Sequence, residues 1–99
     1  KIHTVSMEFA RRGEEDLQLF KEFNVPFSVG IGVIDVKTNE VESAAFVADR
    51  IRRALEVIPA ERLVIAPDCG LVRLHRDVAF SKLCAMVEGT RMVRKELGR

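Results

Sequence analysis

Val29-Gly30-Ile31-Gly32-Val33-Ile34-Asp35 decides the fold, because only apolar residues and glycine precede its closing aspartate. A strand without polar alternation is covered on both faces, as in a parallel sheet flanked by helices. Two further runs have the same character. Thr4-Val5-Ser6-Met7-Glu8 reads as an earlier strand, with Val5 and Met7 alternating against Thr4 and Ser6, and Leu63 to Ala66 reads as a later, buried one. Gly30-x-Gly32 lacks a third glycine opening a helix, so it is not a dinucleotide fingerprint. Close approach of a neighbouring backbone or ligand explains it better.

Helical patterns fill the intervals. Glu14 to about Phe23 carries acidic residues in its first turn and an apolar face of Leu17, Phe20 and Phe23. Pro26 marks its end. Ser43 is an N-cap for a helix reaching about Ile58 and stopped by Pro59, with Val47, Ile51, Ala54, Leu55 and Ile58 in one stripe. Asp49, Arg50, Arg52, Arg53 and Glu56 are expected to face water. A last helix runs from a cap at Asp77 to Leu97, its period kept by Phe80, Leu83, Met86 or Val87, Thr90, Val93 and Leu97. The order βα-βα-βα predicts an α/β fold with a parallel sheet and right-handed crossovers.

Composition sets the outer limits. Ninety-nine residues, 47% hydrophobic and 31% charged, suit one small globular domain. A net charge of +1 gives no electrostatic case for nucleic acid or a membrane surface. No apolar stretch approaches a membrane span, and no signal peptide is expected. Cys69 ends a strand whereas Cys84 lies within a helix, so a disulfide between them is not expected, and a reduced, cytoplasmic setting is. Because the chain opens on Lys1 and enters a strand almost at once, it reads as a piece of a larger protein.

Each strand ends on a group able to bind a metal or carry a proton: Glu8, Asp35, and the pair Asp68–Cys69. Parallel β/α folds place their chemistry at the carboxyl ends of strands. Cys69, on the turn Pro67-Asp68-Cys69-Gly70, is partly exposed near peptide N–H groups that lower a thiol's pKa. With Glu8 it can supply one sulfur and one oxygen to zinc, which accepts mixed ligand sets. Cys69 can equally be an inert turn residue, and Glu8 a partner for Arg11 or Arg12. Asp35 is either a proton carrier or substrate anchor, or a cap for the following loop. Asp68 suits a turn position. His3 and His75 read as solvated, the Arg50-Arg52-Arg53 cluster as a solvated helix face, and Cys84 as packing.

Gly30-Ile31-Gly32-Val33-Ile34-Asp35, Glu42-Ser43, the arginine-rich helix, Ile58-Pro59-Ala60-Glu61-Arg62-Leu63 and Pro67-Asp68-Cys69-Gly70-Leu71 together resemble the cobalamin-independent methionine synthase family. The resemblance is to the end of the family's C-terminal catalytic barrel and covers essentially the whole chain. It implies that residues 1–99 form a single partial domain, the last three βα units of a TIM-type (β/α)₈ barrel. The family binds zinc through a His-x-Cys pair, a glutamate and a later cysteine. The glutamate matches Glu8 and the later cysteine Cys69, while the His-x-Cys pair lies upstream of Lys1 and His3 does not replace it. The implied activity activates a thiol substrate, homocysteine, for methyl transfer from a methyltetrahydrofolate, with Asp35 as a pocket residue.

Two positions depart from the family pattern. Lys37 stands where the synthases carry a histidine that helps protonate the leaving folate, and a lysine is a poor proton shuttle near neutrality. Ala66 stands where an asparagine is usual. Related branches alkylate a thiol with a methyl-corrinoid donor, or with an epoxide and coenzyme M. From another class comes a non-catalytic α/β module that self-associates, since three βα units leave open sheet edges and uncovered apolar surface. The isolated segment is expected to be inactive and to need either an N-terminal barrel portion or another copy of itself.

Overall fold

The computed structural model describes residues 4–7, 28–68, 70 and 74–98. Strand β1 spans Thr4–Met7, β2 Ser28–Ile34 and β3 Leu63–Pro67; helix α1 spans Ala44–Leu55 and α2 Arg76–Glu96. A short 3₁₀ turn, Ala60–Arg62, leads into β3. The strands are parallel in the order β1-β2-β3, with Met7 opposite Ile31 and Ile31 opposite Ile65. The expected α/β architecture with a parallel sheet is therefore present. The helix expected over 14–23 lies outside the described residues.

β2 is the central strand, and its apolar run is explained by burial on both sides. Val29, Ile31, Val33 and Ile34 are all fully buried. Near its end the register slips: Gly32 pairs with Ala66, but Ile34 pairs with Pro67. The extra residue on β2 is a bulge, a feature that bends a strand and re-aims its side chains.

α1 covers this strand with Val47, Ala48, Ile51 and Ala54, and Ile58 is buried just beyond it. Its expected cap is present: the Phe46 N–H donates to Ser43 Oγ at 3.1 Å. The helix ends at Leu55, three residues before Ile58. α2 crosses α1 at Gly89, where an added Cβ would lie 2.8 Å from both the Ala44 carbonyl oxygen and Val47 Cβ. Gly costs about 1 kcal/mol in a helix interior, so its use here is explained by how closely the two backbones approach.

Several expectations for α2 and the arginine cluster need correction. His75, not Asp77, occupies the N-cap, accepting the Asp77 N–H at its imidazole, while remaining exposed as expected. The buried face of α2 is Lys82, Gly89 and Val93, not a line through Phe80. Phe80 is 69% exposed, and Val87 and Leu97 are also exposed, because α1 and the sheet meet only one narrow strip of this long helix. Cys84 is a free, exposed thiol rather than a packing residue. Arg50 does not face water. Its guanidinium lies 4.3 Å from the Phe46 ring centroid and donates to the Val33 carbonyl at 2.7 Å. Among the described residues, no helix is long and apolar enough to cross a membrane.

Candidate functional site

Because the three strands are parallel, their carboxyl ends share one edge of the sheet. β2 and β3 are drawn together there. The Asp68 N–H donates to the Ile34 carbonyl at 2.9 Å, continuing the strand pairing one residue past β3. Gly32 makes room for this, since a Cβ on it would fall 2.7 Å from Asp68 Cα. The close approach expected at Gly30-x-Gly32 is thus realised at Gly32, with the backbone of Asp68 as the neighbour. Asp68 immediately precedes Cys69 in the chain. Glu8 and Cys69 themselves lie outside the described residues.

Asp35 follows β2 directly and is half-buried. Its carboxylate Oδ1 accepts the Lys37 N–H at 2.9 Å, the loop-capping geometry that was one of its two expected roles. It also lines a cavity of about 320 Å³ with Thr38, Glu42, Phe46 and Arg50. Lys37 is exposed.

Beneath Asp35 sits a charged cluster that the sequence reading missed. The Lys82 side chain is fully buried, and its ammonium donates to Glu42 Oε1 at 2.9 Å, to the Asp35 carbonyl at 2.9 Å and to the Glu40 carbonyl at 2.5 Å. Glu42, whose side chain is 7% exposed, turns its other oxygen to the Asp35 N–H at 2.8 Å. Arg50 Nη1 stands 3.6 Å from that same oxygen. An ammonium has three protons and no acceptor, and here each proton has an oxygen. Among the described residues, no buried side-chain nitrogen or oxygen lacks a partner.

A sequence signal for Lys82 existed. Reading α2 by its large apolar residues starts the stripe at Phe80. Counting the small residues instead runs the buried face back from Val93 through Gly89 and Ala85 to Lys82, at helical spacing. Buried lysines are almost always paired, and Glu42 was already prominent beside Ser43. Among the described residues, no group of three or more His, Cys, Asp or Glu side chains is gathered in a way that could hold a metal ion.

The sequence profile of the cobalamin-independent synthase catalytic domain matches residues 1–92. Among similar proteins, a 2-hydroxypropyl-CoM lyase of Xanthobacter autotrophicus is 43% identical over an alignment of 104 residues, which takes in all of this chain and 28% of that protein. A methionine synthase of Saccharolobus solfataricus is 40% identical over 99 residues, all of this chain and 30% of that protein. A solved B12-independent methionine synthase from a Shewanella species, in complex with selenomethionine, superposes with a TM-score of 0.88 at 34% identity. That match covers 98% of this chain and 28% of the other, which is a TIM-barrel enzyme. The chain thus spans less than a third of the length of these relatives. It belongs to the family of cobalamin-independent synthase catalytic domains.

Proposed function

We propose that the chain is part of a zinc-dependent transferase that activates a thiol, homocysteine or a close analogue, for methyl transfer from a methyltetrahydrofolate. The observation that carries this reading is the sheet order within a family match spanning residues 1–92. Glu8 follows β1 and Cys69 follows β3 by one turn residue, and those strands flank β2 in parallel. Strands are spaced about 4.8 Å apart, so β1 and β3 lie roughly 10 Å from each other. With the lengths of a glutamate and a cysteine side chain added to zinc bonds of about 2.1 and 2.3 Å, such a separation would be within reach. The oxygen and sulfur donors also suit that ion. Glu8 and Cys69 would hold it together with ligands from elsewhere in the full-length protein.

Bound there, zinc supplies a Lewis acid that favours the thiolate form of a thiol ligand at neutral pH, with no redox change. The chain's own residues do the rest. Glu8 adds negative charge that offsets the cation. Gly32 admits the backbone of Asp68 against β2, which sets the turn preceding Cys69. Asp35 stands at the same edge, where its carboxylate can orient a polar group of the substrate.

A second reading is favoured by Lys37, which replaces the histidine expected to protonate a departing folate. Its exposed side chain suits a reaction needing no shuttle at this position, such as alkylation by a methyl-corrinoid or an epoxide with coenzyme M as the thiol. The similarity to a 2-hydroxypropyl-CoM lyase supports this alternative as well as the synthases support the first.

The test uses the full-length protein that contains this segment. Cys69→Ser is expected to lower zinc stoichiometry and abolish alkyl transfer. Normal zinc content in that variant would refute the ligand assignment. Methyltetrahydrofolate, methyl-corrinoid and epoxide donors assayed in parallel, each with homocysteine and with coenzyme M, separate the two readings.

A further inference from the structure

The Lys82–Glu42 pair holds a single residue by both sides of its backbone. Glu42 takes the Asp35 N–H at 2.8 Å, Lys82 donates to the Asp35 carbonyl at 2.9 Å, and the two side chains meet at 2.9 Å. Lys82 also fixes the far end of the same loop through the Glu40 carbonyl at 2.5 Å. Arg50 holds the residue two positions before Asp35 through the Val33 carbonyl at 2.7 Å. Among the described residues, the carboxylate of Asp35 is left out of this grip, its Oδ1 taking the neighbouring Lys37 N–H.

Stability alone does not account for such an arrangement. Replacing a buried ion pair by apolar residues of similar volume is often neutral or stabilising. What charged groups add is direction, because each hydrogen bond fixes an angle that apolar packing leaves free. Every Lys82 proton is already engaged, so Lys82 has none for a substrate.

We infer that the buried Lys82–Glu42 pair is a positioning device, locking the Asp35 backbone so that its carboxylate is presented at the carboxyl edge of the sheet. The inference rests on the proposed function, in which Asp35 contacts substrate. Lys82 acts through Asp35 and touches no reacting atom.

The experiment compares Lys82→Met, the double variant Lys82→Met/Glu42→Leu, and each with Asp35→Asn, in the full-length protein with its preferred thiol and alkyl donor. Melting temperature, zinc content, kcat and KM are read for each. Lys82→Met is expected to lower both melting temperature and kcat. The double variant should recover the melting temperature while kcat stays about ten- to a hundredfold down, the scale on which misplacing a positioned group acts. KM should change little, and Asp35→Asn should cost the double variant nothing further. Recovery of kcat alongside melting temperature would show a merely structural pair and overturn the inference. So would a full additional loss from Asp35→Asn, or wild-type kcat in Asp35→Asn alone. If Lys82→Met does not fold, the double variant carries the test. Failure of the zinc assignment shows separately, as normal zinc content in Cys69→Ser.

Discussion

At the scale of single residues, the chain commits unusual side chains to the loop after β2 and to the turn after β3. Lys82 is fully buried with Glu42 as its counter-charge, so removing Lys82 leaves the buried Glu42 with the longer 3.6 Å contact to Arg50. Lys82→Met alone should therefore destabilise by about 3–5 kcal/mol, read as a lowered urea midpoint. Loss of the α1 cap in Ser43→Ala should cost only about 1 kcal/mol. Equal effects would mean that the buried pair is better solvated than its geometry indicates. Gly32→Ala is a different kind of lesion. Its Cβ would enter the space of Asp68, whose Cα would be 2.7 Å away, so the turn leading to Cys69 must shift. Lower zinc retention, together with a loss of about 1–3 kcal/mol, is expected. Unchanged metal content and stability would place the turn independently of β2.

At the scale of elements, the helix crossing and the strand ends carry the organisation. Gly89→Ala gains helix propensity but puts a Cβ 2.8 Å from the Ala44 carbonyl oxygen. Net destabilisation is expected, and a raised urea midpoint would show that the helices separate without cost. The same two helices are joined at the surface by Arg52, which pairs with Asp49 on its own helix and with Glu96 on α2. The hydrogen bond from Arg52 holds the Glu96 carboxyl below its usual range. A lowered folded pKa means stability present above the unfolded value and lost as pH falls through the folded one. Glu96→Gln should thus lower the melting temperature near neutrality, the difference from wild type shrinking as pH falls below the usual carboxylate range. A pH-independent difference would contradict the pairing.

The sequence was legible where one rule governs one face. The uninterrupted apolar run of β2, the Ser43 cap and the α1 stripe all follow from period and capping alone. α2 was legible at Val93 but not at Lys82 and Gly89, where polarity and size point away from burial. Arg50 was misread because its aliphatic stem and guanidinium lie along Phe46 and the end of β2, a contact no local pattern encodes. Asp35 was legible as a strand-end carboxylate. The ion pair that holds it was not, since its partners are 40 residues apart in the chain.

At the scale of the whole molecule, much apolar surface awaits cover. β3 is only half-buried, with Val64 47% exposed, and among the described residues no strand pairs with its outer edge. A groove of about 840 Å³ runs beside it, lined by Leu55, Leu63, Ile65, Met86 and Leu97. In a TIM-type barrel such an edge is closed by the next strand and such a groove by the next helix. A chain of these 99 residues alone should therefore self-associate on size-exclusion chromatography and retain no zinc. A zinc-free monomer would instead favour a self-sufficient module. The most direct test of the account is zinc K-edge X-ray absorption on the full-length protein and its Cys69→Ser variant, loaded with zinc to equal occupancy. The account predicts one sulfur scatterer fewer at about 2.3 Å in the variant. An unchanged sulfur count would contradict it.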